Sequence, residues 1–174
     1  DVYKRQLNNN QSRGQWAEFQ VEDLLGIMEY KEGIHYETQK IMKSGTKPDF
    51  TFYLPDNKSI NMDSKFPLTI YMEIAKLTRD LEDETLDELG RREVTELIKS
   101  KNKEFLDKAI KTKIDETAGR EGYISPDEDT VDFVLMYIPL ENLYHFLLTS
   151  EIGSSKTPVI EYACLLYTSD AADE

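Results

Sequence analysis

The predicted elements run helix, strand, hairpin, helices, strand, helix, which makes this chain a mixed α/β layer fold, a central sheet flanked by helices. Three stretches carry that expectation. Pro48–Lys65 (PDFTFYLPDNKSINMDSK) sets two short alternating runs around a turn cluster, Pro55-Asp56-Asn57-Lys58, which is a hairpin signal. Leu89 to about Ala118 keeps Val94, Leu97, Ile98, Phe105, Leu106, Ile110 and Ile114 in a long helical pattern without proline. Val131–Ile138 (VDFVLMYI) is the most apolar run and reads as a buried central strand, stopped by Pro139.

Taken in order, Leu7–Gln11 is a polar lead-in, and Ser12-Arg13-Gly14-Gln15 fits a capping box. The helix it opens runs to about Met28, with Trp16, Phe19, Leu24, Leu25 and Met28 as its apolar stripe and Glu18 off the stripe's centre. From its position, Glu18 is a solvated residue or a further metal ligand. Gly33 ends that segment, and His35–Met42 reads as a strand. Lys43–Lys47 turns through Gly45 into the hairpin. Pro67 opens a helix over Phe66–Leu81, with Ile70, Ile74 and Leu77 at helical spacing. The acidic run Asp80–Glu88 reads as a solvated helix end or linker. Lys99–Lys113 holds six lysines against two acids, either a phosphate-contacting face or an ordinary solvated one. Gly119–Thr130 is a loop, Glu141–Thr149 a helix, Gly153–Pro158 a loop, and Val159–Tyr162 the start of another element.

The hairpin carries the chemistry. Strand side chains alternate faces, so Phe50, Phe52 and Leu54 share a core side with Ile60 and Met62. The opposite side then holds Asp49, Thr51 and Tyr53 beside Asn61, Asp63 and Lys65. This matching requires paired residue numbers with an even sum, as for 49 opposite 63. A two-residue turn at Asp56-Asn57 gives an odd sum, so the spacing predicts a three-residue loop or a bulge. Two carboxylates and a lysine converging at the open end suit metal-assisted phosphodiester hydrolysis. Mg²⁺ takes one or two carboxylates with water and substrate phosphate, and it activates water and clamps phosphoryl oxygens. Lys65 adds a positive charge beside the attacked phosphate. The pattern PD…DxK resembles the PD-(D/E)xK nuclease motif; a solvated hairpin face with an ion pair is the alternative.

The two ends read as DNA adapter rather than protein. Asp1–Gln6 (DVYKRQ) is the translation of GAT-GTG-TAT-AAG-AGA-CAG, and Cys164–Glu174 opens with CLLYTS, the translation of its frame-shifted reverse complement. Both tails are therefore set aside from the fold, leaving 7–163 as a nuclease-like domain expected to be truncated at both ends. The 174 residues carry 21 basic and 34 acidic side chains, a net −13; without the tails 19 and 30 remain, a net −11. The only cysteine, Cys164, lies in a tail, so no disulfide framework or thiolate metal site is expected. About 157 residues suffice for one domain with a real core. The acidity argues against loose electrostatic binding of nucleic acid, although local patches matter more than the sum. No transmembrane span, signal peptide, P-loop, G-x-G-x-x-G or G-x-S-x-G is found, and His35 and His145 have no metal-ligand spacing.

Several segments together resemble the RmuC family of bacterial proteins named for a role in DNA recombination. They are Arg13-Gly14-Gln15-Trp16-Ala17-Glu18, Tyr36–Gln39, Pro48-Asp49, Leu54-Pro55 and Met62–Leu68, then Gly122–Pro126, Asp132–Pro139 and Glu141. Ala17 stands where the family usually has glycine. The resemblance implies a restriction-endonuclease-like α/β core with Glu18, Asp49, Asp63 and Lys65 at a nuclease site. Asp49 and Asp63 would hold Mg²⁺ (or Mn²⁺), Glu18 would reach the metal directly or through water, and Lys65 would position the attacking water. Gln39 is a weaker candidate for orienting the site. The implied partner is DNA, with no small-molecule cofactor. The implied parent is a longer cytoplasmic protein, tethered to the inner membrane by an N-terminal segment and oligomeric through a coiled coil. The expected function is a Mg²⁺-dependent DNA nuclease domain in recombination or repair; the alternative is a non-catalytic DNA-binding or scaffold domain.

Overall fold

The first helix, α1 (Asn10–Ile27), buries Ala17, Val21 and Leu25, the last two against a sheet. These residues are four apart and so share one helical face. A computed structural model describes the backbone of residues 10–64, 67–83, 85–120 and 122–165. The face of α1 differs from the expected stripe: Phe19, Leu24 and Met28 are exposed, and only Trp16 and Leu25 of that set point inward. Ser12 lies inside the helix and not at its N-cap, because helical backbone already begins at Asn10.

After α1 come β1 (Tyr36–Thr38), β2 (Phe50–Tyr53) and β3 (Ser59–Asp63), consecutive antiparallel neighbours. The expected strand over His35–Met42 is thus three residues long; Gln39 has a positive φ, which turns the chain out of the extended region. Phe50 pairs with Met62 and Phe52 with Ile60, the even-sum register. The loop responsible is three residues, Pro55-Asp56-Asn57, closed by the Leu54 amide donating to the Lys58 carbonyl at 2.8 Å. Asp56 and Asn57 both sit near φ +60°, a conformation Asp and Asn tolerate better than most residues.

The chain next forms α2 (Leu68–Asp80) and then α3 (Glu88–Glu104), N-capped by the Asp87 carboxylate accepting from the Gly90 amide at 2.8 Å. A π-helical turn, Phe105–Ile110, comes next and leads without a break into α4 (Lys111–Ala118). The acidic segment between α2 and α3 is a linker, as expected. A π turn widens the helix and re-phases the turns C-terminal to it. Phe105, Ile110 and Ile114 consequently share one core with Leu68 and Ile74 of α2.

The last strand of the sheet, β4 (Leu135–Met136), pairs in parallel with β3, giving the order β1-β2-β3-β4. This corrects the expectation for Val131–Ile138. Among the described residues, β4 is a two-residue edge strand, and Phe133 and Leu135 are 43% and 38% exposed. The segment touches β3 at Thr130 opposite Ser59 and again at Leu135 opposite Met62. Two more residues therefore lie between these contacts on this side than on β3, and the surplus swings Asp132 and Phe133 outward. The central strand is β3, in which all five residues are buried.

The chain closes with α5 (Glu141–Leu148), the short hairpin β5 (Glu151–Ile152) and β6 (Thr157–Pro158), and α6 (Val159–Leu165). Leu143, Leu147, Ile152 and Val159 complete the larger core, whereas Val21, Leu25, Tyr36, Phe50 and Met62 form a smaller one between α1 and the sheet. Among the described residues no helix is long and apolar enough to cross a membrane.

Candidate functional site

One face of β2–β3 is greasy and packs on α1; the other is polar and nearly as buried. Asp49, Thr51, Asn61 and Asp63 occupy that second face, each 1% exposed or less. Burying such groups is costly unless each is hydrogen-bonded, and a buried charge needs a partner as well. Thr51 Oγ1 donates to Asn61 Oδ1 at 2.6 Å across the register pair, and Asn61 Nδ2 donates to the Tyr123 carbonyl at 2.8 Å. A chain of hydrogen bonds thereby ties the hairpin to the loop after α4.

Gly122 makes that tie possible. Its φ is +80°, and a Cβ there would come within 2.8 Å of the Ser44 and Thr46 side chains. Tyr123 is 1% exposed, and its hydroxyl donates to the Lys47 carbonyl at 3.2 Å while accepting from Arg120 at 2.9 Å.

Asp49 is held at both oxygens. Gln39 Nε2 donates to Oδ1 at 3.2 Å; the Ser64 amide and Ser64 Oγ donate to Oδ2 at 2.8 and 3.0 Å. Asp63 meets two cations on one oxygen. Lys113 Nζ and an Arg120 guanidinium nitrogen each lie 2.8 Å from Oδ2. Burial pushes the Arg120 pKa down, but the Tyr123 hydrogen bond and the nearby charges of Tyr123, Asp63 and Asp49 outweigh it and leave it raised. Burial raises the Tyr123 phenol, against the lowering effect of Arg120.

The structure thus brings Asp49 and Asp63 together on one buried face and places Gln39 against Asp49, in line with the hairpin's alternation. Lys65 lies outside the described residues. Glu18 is half-buried on α1. Among the described residues no three His, Cys, Asp or Glu side chains group closely enough to hold a metal ion. The oxygen-only chemistry of Asp49 and Asp63 suits Mg²⁺, which commonly takes one or two carboxylates, although Lys113 and Arg120 already occupy Asp63 Oδ2. The histidines are structural or exposed: His35 Nδ1 accepts from the Lys31 amide at 2.9 Å, and His145 lies on the surface beside Glu141.

Sequence reading did not single out Lys113, Arg120, Ser64 or Tyr123 as contributors. The available signal was spacing. Lys113 and Arg120 are seven apart, two helical turns, so they share a face once α4 is continued through the next turn. Lys113 was hidden in a lysine-rich stretch whose other members are mostly on the surface; Lys99 and Lys101, for example, pair with Glu96 and Glu73.

Fold and site define a mixed α/β domain with a charged, hydrogen-bonded centre at the open end of a β-hairpin. The chain belongs to the RmuC family, which it matches over residues 3–155. It is 33% identical over 140 residues to a DNA recombination protein RmuC homolog of Pasteurella multocida, covering 75% of this chain and 23% of that protein. It is 30% identical over 152 residues to one from Neisseria meningitidis serogroup A, covering 83% and 23%, and 28% identical over 141 residues to one from Chlamydia trachomatis, covering 80% and 27%. The chain thus spans about a quarter of the length of these curated relatives. No solved structure matches it.

Proposed function

We propose that this domain is a metal-dependent DNA nuclease module with a restriction-endonuclease-like core, serving DNA recombination or repair. The observation that carries the reading is the placement of Asp49 and Asp63. They come from the two arms of one hairpin, on one face, in the register that PD…DxK chemistry needs, and both are almost fully buried. Buried carboxylates are costly to a fold unless they are paired or hold a metal. The names of the relatives, DNA recombination protein RmuC homologs, support the biological setting.

In this reading Asp49 and Asp63 hold Mg²⁺ or Mn²⁺, and Glu18 from α1 reaches the cation through water. The cation supplies charge neutralisation at the phosphoryl oxygens and activation of the attacking water. Lys65 positions that water, and Ser64 and Gln39 fix the Asp49 carboxylate. DNA is the substrate, and the parent protein is cytoplasmic, anchored and oligomerised by segments outside this chain.

A second reading has its own observation. Lys113 and Arg120 already balance Asp63, an arrangement that suits a DNA-binding or scaffold domain without catalysis. Incubating the chain with single- and double-stranded DNA, in Mg²⁺ and in chelator, beside Lys65→Ala and Asp49→Asn separates the two. Metal-dependent cleavage lost in both variants supports the nuclease. Folded wild-type protein that binds DNA and never cuts it rejects the nuclease in favour of the binding domain.

A further inference from the structure

We propose that Lys113 and Lys108, on the wall of a cleft beside the hairpin site, bind a DNA backbone phosphate, with Asp63 acting as the positioning residue for Lys113. The inference rests on the reading that the site takes DNA, and it assigns residues to the contact. The cleft has a volume of about 510 Å³ and runs between Pro67 and Ile70 at the start of α2 and Lys108, Thr112 and Lys113 of the π turn and α4. Lys113 belongs to both places. Its ammonium has three donors, and one points at Asp63 Oδ2 at 2.8 Å while the side chain lines the cleft. An anchored lysine of this kind has lost its rotamer freedom before a phosphate arrives, which lowers the ordering cost of binding.

Three further observations converge. The π turn at Phe105–Ile110 sets the phase of α4; such turns recur at functional sites. Thr117 lies one helical turn beyond Lys113 on the face that leads to Arg120. Its hydroxyl is fully buried and has no hydrogen-bond partner among the described residues. Arg120 shares Asp63 Oδ2 with Lys113 and keeps 31% of its side chain exposed, so a further cation stands beside the anchored lysine. Glu104 and Glu116 also line the cleft and oppose a phosphate, which gives the proposal a sign that can be tested from both directions.

The experiment is DNA binding by the full chain in chelator, with a fluorescent duplex and a fluorescent single strand, across a salt series. Losing one phosphate contact lowers the slope of log affinity against log salt by about 0.9 for duplex. The wild-type advantage over Lys113→Gln should therefore shrink about 3.5-fold between 50 and 200 mM salt, on that slope. Lys113→Arg should restore the wild-type slope. Lys108→Gln, an exposed position with no buried partner to strand, should lower the slope similarly, and Glu116→Gln should tighten binding. If Lys113→Gln does not fold, Lys108→Gln decides alone. Wild-type slopes in both lysine variants, with wild-type protein binding DNA, overturn this assignment and leave the DNA reading intact. Wild-type protein that binds neither probe overturns both.

Discussion

Strands β3 and β4 lie side by side and invert the order that hydropathy suggests. SINMD, with a serine, an asparagine and an aspartate, is buried along its whole length; VDFVLMYI, nearly all apolar, supplies a two-residue edge with Phe133 and Leu135 in partial contact with solvent. The difference teaches that burial of a strand is decided by how many neighbours cover it. β3 has β2 on one side, β4 on the other, α1 on one face and the α4–Tyr123 segment on the other. Asn61 and Asp63 are tolerated because each finds partners there, and those partners complete the candidate site.

The comparison is most directly broken at Asp63. Asp63→Ala leaves Lys113 and Arg120 without their shared carboxylate, and removing one member of a buried ion cluster typically costs about 3–5 kcal/mol. The loss should fall at the lower end, because Arg120 remains 31% exposed. Urea unfolding measures it, and a loss under about 1 kcal/mol would show that the cluster is not held by charge pairing.

Gly122→Ala tests the loop that caps β3. It combines a positive φ with a collision against Ser44 and Thr46, and the strain should be worth about 1–3 kcal/mol. Protection of the Asn61 side-chain amide from exchange should fall with it, since Tyr123 supplies its acceptor.

On the other strand, Leu135→Thr should change stability by less than about 1 kcal/mol, as expected for a partly exposed position with no special partner. A buried central strand would instead lose several times that, so this substitution compares β4 with β3 directly.

The smallest effect lies at the sheet's open surface. The Tyr53 hydroxyl donates to Glu37 at 2.6 Å, and that bond, with burial and the Glu37 charge, pushes its pKa from 10.0 up to about 12. A raised folded-state pKa means the bond's contribution is fully present below pH 10 and is lost as pH rises through about 12. Spectroscopic titration should show a late-ionising tyrosine that moves to lower pH in Glu37→Gln.

Much of the site was legible because hairpins are local. The alternation of Phe50, Phe52, Ile60 and Met62 and the count of residues through Pro55–Asn57 are enough to put Asp49 and Asp63 on one face, and they do share it. The face of α1 is not legible in the sequence because apolar residues surround that helix and no single stripe stands out; the sheet selects Val21 and Leu25. Lys113 and Arg120 could not be picked from their neighbours, because a lysine-rich helix offers many equivalent charges and only packing distinguishes one.

By itself the sequence determined the main helices, the hairpin register and the family, all of which depend on short-range spacing and residue type; the expected loop Gly153–Pro158 instead belongs to the β5–β6 hairpin. The tertiary structure decided which strand is central, which face of α1 is covered, and which cations reach Asp63. Those outcomes depend on contacts between residues distant in sequence, as between Asp63 and Lys113, 50 positions apart, where local periodicity carries no information.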